Sequence, residues 1–321
     1  MLKKRIARLR GFESNTLTLV IVLIAVVAIF SLLRPTYFTT VNAINIIYAC
    51  CVTGILSIGV TLLLIAGKVD LSCGAIGAAS GVLLAVLVTR MNVPWYAALL
   101  VCLVFGGAIG VVNSILTNIF RLQPFIATLA MASVCQGMGY LFCGGRSVSL
   151  INNALSTLGA GRIFGNIPVQ ILILAALYIV FSFILSRTTF GRKIYVIGGN
   201  PIASRLAGLD PRKISTILYV ISGVLASLAG CLLAGRMRSG APNAVTGSEF
   251  DAIIAAVLGG VAFTGGRGNF GGCLIGMLII QCFSNGLNFM GMSSFWQQVA
   301  KGLLLIGSLL VDYFRSLKES Q

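Results

Sequence analysis

Residues 45–88, NIIYACCVTGILSIGVTLLLIAGKVDLSCGAIGAASGVLLAVLV, hold two long apolar runs separated by one short polar break, Gly67-Lys68-Val69-Asp70. A bilayer core is about 30 Å thick, so a crossing helix needs about 20 apolar residues. Each run has close to that length, and neither alternates apolar with polar residues as a barrel strand would. The stretch therefore predicts two membrane helices, near 43–66 and 74–91, joined by a tight turn.

Working outward, runs of the same kind recur near 16–33, 95–119, 124–143, 169–186, 214–235, 250–265, 270–290 and 294–314. The expected fold is all-α, a polytopic membrane protein of about ten transmembrane helices. Gly-rich sequence from Gly259 to Gly272 interrupts the eighth and ninth runs. The predicted organisation is a basic head at 1–15, a membrane domain at 16–314 containing a soluble loop at 187–213, and a tail at 315–321. The head and first run resemble a signal peptide, but the run is too long, and RPTYF follows it where a small-residue cleavage site would stand. It reads as a retained helix.

Composition agrees: 58% of the 321 residues are hydrophobic, 9% are charged, and mean hydropathy is +1.01. The net charge of +16 would suggest nucleic acid in a soluble protein, but here the 23 basic residues fall between apolar runs, which points to the bilayer and not to nucleic acid. With no histidine and seven carboxylates, neither a zinc site nor a His-based triad is expected. No cofactor or metal is assigned. The nine cysteines show no C-x-x-C pair and read as small packing residues.

Basic residues also set the sides, because cytoplasmic flanks are enriched in Lys and Arg. Lys3, Lys4, Arg5, Arg8 and Arg10 precede the first helix. With that end inside, Arg121, Arg187, Arg192, Lys193, Arg205, Arg212, Lys213, Arg315 and Lys318 are also inside, giving 14. Arg34, Arg90, Arg146, Arg162, Arg236 and Arg238 fall outside, giving 6. The excess predicts both termini in the cytoplasm.

Polar residues within the runs are the candidate functional groups. Ionisable side chains at membrane depth are costly unless paired or facing water. Asp70 and Ser72 could cap the third helix, or line the route of a polar solute; Lys68 could neutralise Asp70. Glu249 and Asp251 suit the positive start of the eighth helix. GGRGNFGG around Arg267 lacks the Gly-Lys-Ser or Gly-Lys-Thr of a phosphate loop. Asn113, Ser114, Thr128, Ser133, Gln136, Gln281, Ser284 and Asn285 could bind a sugar or join helices. Of these, Asn113, Gln136 and Asn285 join Asp70 and Ser72 as candidates for the path. Lys301 and Asp312 are expected to snorkel to the two interfaces. Gly106 and Gly110, with Gly272 and Gly276, have the small-xxx-small spacing of close helix crossings.

One soluble element stands out, GGNPIASRLAGLDPRK at 198–213. Asn200 and Pro201 give a cap and a first-turn proline, and Gly208 and Pro211 give a stop. Ala203, Leu206 and Ala207 form a short apolar face. Such a face fits either a protein partner or the lipid surface, where Arg205 and Lys213 would meet acidic headgroups.

AGKVDLSCGAIGAASGVLLA, PFIATLAMASVCQGMGYLFCGGRSVS, TTFGRKIYVIGGNPIASRLAGLD and FDAIIAAVLGGVAFTGGRGNFGG resemble, in order and spacing, the permease subunits of bacterial ribose-type sugar ABC importers. The resemblance runs from about residue 40 to 312. It implies a multi-pass protein of the bacterial inner membrane that pairs with a second permease copy or paralogue. It further implies a cytoplasmic twin-cassette ATPase, where ATP is hydrolysed, and an extracytoplasmic sugar-binding protein. The same resemblance carries ATPase coupling onto Gly198, Gly199, Asn200, Pro201, Ala203, Arg205, Leu206, Ala207 and Gly208. Where the family commonly has two glycines and Ile before Asp-Leu-Ser, this chain has Gly67, Lys68 and Val69, which leaves nucleoside, inositol or autoinducer beside a monosaccharide. The rival mechanisms are an ion-coupled secondary transporter and, from another class, a membrane-embedded enzyme.

Overall fold

In a computed structural model, the backbone is described for residues 2–163 and 167–320, and side chains for 16–152, 154–163 and 167–313. The side chains of the basic head and of Arg315 and Lys318, counted above, lie outside the described residues.

Thirteen α-helices carry the described fold: α1 (Leu2–Leu33), α2 (Thr40–Ile65), α3 (Cys73–Thr89), α4 (Trp95–Ser114), α5 (Pro124–Cys143), α6 (Asn153–Ala160), α7 (Val169–Arg187), α8 (Thr189–Gly199), α9 (Pro201–Leu206), α10 (Pro211–Met237), α11 (Ser248–Leu258), α12 (Phe270–Phe289) and α13 (Ser294–Ser320). Eight are long and apolar enough to cross a bilayer, and α3 is a shorter apolar helix of 17 residues. Two-residue strands β1 (Val148–Ser149), β2 (Arg162–Ile163), β3 (Ile167–Pro168) and β4 (Ser239–Gly240) pair antiparallel as β1 with β4 and β2 with β3. The chain is an all-α, polytopic membrane protein.

Helix α2 is the axis of the core. Its residues from Cys50 to Ile65 are buried throughout, with Ile55, Ile58, Leu63, Leu64 and Ile65 fully enclosed. Such all-round burial is what an apolar helix without a polar face requires. Around it pack α7, α10, α11 and α12, while α3 and α4 lie against α10. Lipid tails are as apolar as leucine, so backbone proximity rather than expulsion of water holds such helices together. Where α4 crosses α10, a Cβ on Gly106 would overlap the Gly223 carbonyl, and one on Gly223 would overlap the Gly106 carbonyl. A hydroxyl pair, Ser80 with Ser227 at 2.7 Å, ties α3 to α10 nearby.

The eighth expected span, 250–265, is corrected. Only Ser248–Leu258 is helical, which at 1.5 Å per residue is about 16 Å, half a membrane thickness. Gly259 and Gly260 end it: Gly260 has φ +88°, and the Val261 N–H reaches back to the Ala256 carbonyl at 3.0 Å. An irregular segment before α11, residues 241–247, descends along α3, with Val245 beside Gly77 and Glu249 beside Gly74. This crossing is thus part loop and part helix, and hydropathy alone cannot separate the two.

Candidate functional site

The turns at 66–72 and 259–268 meet the α8–α9 segment at one end of the bundle, and this end is basic. Two residues build the capped helix expected there. Asn200 Oδ1 accepts the N–H groups of Ile202 and Ala203 at 3.1 and 2.9 Å, and Pro201 opens α9. Gly208, at φ +76°, turns the chain, and Asp210 Oδ1 accepts the N–H groups of Arg212 and Lys213 to start α10. The helix is shorter than 198–208: Gly198 and Gly199 close α8, Asn200 is the cap, and Ala207 ends α9.

Its free apolar face also differs from expectation. Ile202 and Leu206, one turn apart, are 74% and 85% exposed, and Ala203 and Ala207 lie open beside them. The sequence reading missed Ile202 because it took its register from the alanines. Ser204, on the opposite side, is buried and donates to the Pro201 carbonyl. Also missed was α8, whose Ile194 and Ile197 are buried under the basic Arg192 and Lys193. Their three-residue spacing was its signal, hidden by the glycines and charges around it.

Asp70, Ser72 and Asn113 come together, but inside the protein. Asp70 is 1% exposed, and Ser72 and Asn113 are fully buried. Asp70 Oδ1 accepts the Ser72 N–H at 2.9 Å and hydroxyl at 2.5 Å, and its Oδ2 accepts the Ser222 hydroxyl at 2.8 Å. Asn113 Nδ2 donates to Ser72 Oγ at 2.8 Å, and the Leu71 N–H donates to Thr128 Oγ1 at 3.1 Å. The 70–72 turn thus gathers α3, α4, α5 and α10, the carboxylate itself reaching Ser72 and Ser222, and none of the three candidates reaches a surface in this conformation. Capping is indirect: Asp70 bonds the residue that precedes α3.

Among the described residues, no ion pair joins Lys68 to Asp70. Lys68 lies half-buried on the basic end, where burial first and the nearby Arg205 second hold its ammonium below the usual lysine range. Lys301 does not snorkel. Its Nζ meets Asp251 Oδ2 at 2.8 Å and ties α13 to α11. Asp312 Oδ2 accepts the Phe263 N–H at 3.1 Å, a second tie from α13 to the loop after α11.

Gln136 and Asn285 stand apart from that network. Asn285 Oδ1 accepts from Asn42 Nδ2 at 2.9 Å, joining α12 to α2 at the opposite end. Half-buried Gln136 shares one face of α5 with the exposed Ser133 and Tyr140, as the spacing of three and four dictates. The Tyr140 hydroxyl donates to Asn243 Oδ1 at 2.5 Å, and Asn243 and Thr246 of the irregular segment are also exposed. Non-helical backbone at membrane depth is tolerated where protein buries it or water fills the space beside it. A polar lane of hydroxyls and amides therefore runs down α5 and the segment before α11. Tyr140 and Asn243 were not singled out from sequence, since their pairing spans 103 residues.

Fold and site together define a multi-pass membrane transport protein with a short, exposed apolar helix on its basic end. A family model described as branched-chain amino acid transport system / permease component matches residues 42–309. The ribose import permease of Escherichia coli (strain K12) is 38% identical over 296 residues, covering 91% of this chain and 92% of that one. The L-arabinose ABC transporter permease of Azospirillum brasilense is 32% identical, covering 94% and 88%, and the D-allose transport system permease of Escherichia coli is 34% identical, covering 91% and 89%. The chain belongs to this family of importer permease components. It is a transport subunit, not an enzyme.

Proposed function

We propose that this chain is the membrane-spanning subunit of an ATP-driven importer for a monosaccharide. It works with a second permease chain, a cytoplasmic twin-cassette ATPase seated on Ile202 and Leu206 of α9, and an extracytoplasmic sugar-binding protein. The basic end is the cytoplasmic one, and both termini lie there. Binding of ATP shifts the permease between two states that differ in their contacts with the ATPase and the loaded binding protein.

The observation that carries the substrate class is the lane of Ser133, Gln136, Tyr140, Asn243 and Thr246. Hydroxyls and amides both donate and accept, as sugar hydroxyls do. A branched-chain amino acid, the substrate in the family's description, carries a carboxylate and an ammonium that want opposite charges, and no lane member is charged. The ribose, arabinose and allose relatives favour the same choice. Asp70, Ser72 and Asn113 brace the wall of the path from behind.

Uptake of labelled D-ribose, L-arabinose, D-allose and L-leucine by cells carrying the complete importer tests this. One of the sugars is expected to accumulate, and the double variant Gln136→Ala, Tyr140→Phe is expected to lower its uptake about tenfold at an unchanged membrane level. Accumulation of leucine without any of the sugars refutes the reading.

A further inference from the structure

Three separate pieces of backbone touch where α8 passes into α9. The Gly266 N–H donates to the Ile65 carbonyl at the end of α2, at 2.8 Å. Gly198 lies on this bond: a Cβ there would overlap the Ile65 oxygen and stand 2.7 Å from the Gly266 nitrogen. Gly265, at φ +91°, approaches Gly67, which is itself at φ +71°; Gly266, at φ +76°, approaches Gly199. Only glycine adopts such angles freely and also permits such approach. One side chain spans the joint, the Tyr195 hydroxyl, which donates to the Gly268 carbonyl at 2.7 Å.

What the joint grips is continuous with the lane. The loop at 259–268 is the C-terminal cap of α11, closed by Gly260 N–H to Val257 and Val261 N–H to Ala256 at 2.9 and 3.0 Å. Its own turn is closed by Ala262 N–H to Arg267 and Gly265 N–H to Ala262. Helix α13 holds the same body at two points, Asp251 and Phe263. At the other end of α11 stand Asn243 and Thr246. A push on the loop therefore moves a short, internally bonded helix that ends beside the lane, whereas α10, the next helix in sequence from α9, is locked to α4 by backbone contact.

We propose that the ATPase's pull on α9 reaches the transport path through this glycine joint and the loop into α11, with Tyr195 and Gly198 as positioning residues. The inference rests on the docking role given to α9 above. Coupling of this kind needs a physically continuous element that both sites bias, and α11 with its cap is one.

Hydrogen exchange on the purified complex of permease and ATPase, with and without ATP and vanadate, tests the route. In the wild type, the nucleotide is expected to change exchange at 189–206, 261–268 and 243–249. Tyr195→Phe, which removes one hydroxyl and leaves packing intact, and Gly198→Ala are expected to keep the change at 189–206 and to shrink that at 243–249 at least threefold. Val196→Ala, on the exposed side of α8, is expected to leave all three unchanged. Leu206→Asp is expected to release the ATPase; if the ATPase stays bound, the docking role fails and the proposal with it. If Leu206→Asp releases the ATPase while Tyr195→Phe retains the full change at 243–249, the joint is not the route and this proposal alone is overturned.

Discussion

Asp70 shows how far a residue's chemistry can be read without its neighbours. The break Gly67-Lys68-Val69-Asp70-Leu71-Ser72 announces a polar cluster, and the structure has one. Its direction was not legible, because the second carboxylate oxygen is satisfied by Ser222, 152 residues away. Lys68 sits two positions along the chain and lies in a different environment, the basic end with Arg205. A buried group stripped of its partner costs about 1–3 kcal/mol. Asp70→Ala strands the Ser72 N–H and two hydroxyls, so it is expected to destabilise the detergent-purified protein by about 3 kcal/mol. Asp70→Asn keeps an acceptor for Ser72, and the Ser222 hydroxyl can rotate to accept the new amide, so its loss is expected to be under half as large. Thermal unfolding of the two variants checks this; equal losses would mean that the negative charge, not the hydrogen bonds, holds the cluster.

Among the elements, α11 departs furthest from what hydropathy conveys. Residues 250–265 are apolar enough to read as a span, since glycine, alanine and valine all count toward one. What stops the helix is backbone geometry at Gly260, and positive φ at Gly265, Gly266 and Gly268 keeps the following residues from resuming it; hydropathy does not register φ. By contrast α2 was legible to within three residues, 43–66 against Thr40–Ile65, because an unbroken apolar run needs no information beyond its length. The cap of α9 was legible for a similar reason: Asn200 and Pro201 act on N–H groups only two or three residues away. Since α11 is short, it depends on neighbours, and its tie to α13 is the Asp251–Lys301 pair, with Lys301 28% and Asp251 8% exposed. Removing one member of a largely buried pair leaves the other charge uncompensated, at about 3 kcal/mol or more, whereas replacing both by apolar groups is often neutral. Lys301→Met is expected to lower stability by about 3 kcal/mol, and Lys301→Met with Asp251→Leu to recover most of it. Chemical denaturation in detergent measures both; a double variant no better than the single would assign the loss to packing of the lysine stem.

For the whole molecule, charge marks one end and the smallest residues set the crossings. Basic segments alternate along the sequence, and those at 187–213 do gather with the 66–72 turn at one end. Which glycines set the crossings was only partly readable: the spacing of Gly106 and Gly110 marked α4, but its partner Gly223 has no second glycine at that spacing, only Ser227. Contact is the deciding property. A Cβ on Gly106 would overlap the backbone of α10, whereas one on Gly137, in α5, would meet nothing within 4 Å. Helix association in lipid draws on such close packing, and overpacking costs about 1–3 kcal/mol even where side chains can shift. At Gly106 the obstacle is main chain, which cannot rotate away, so α4 and α10 must separate along their length and break the Ser114–Thr216 hydroxyl pair that joins them at 2.6 Å. Gly106→Leu is therefore expected to abolish recovery of folded, monodisperse protein from membranes, and Gly137→Leu to give wild-type yield from the same preparation. Equal yields would show that α4 and α10 are held by their polar bonds, and that the glycine contact merely occupies the space those bonds leave.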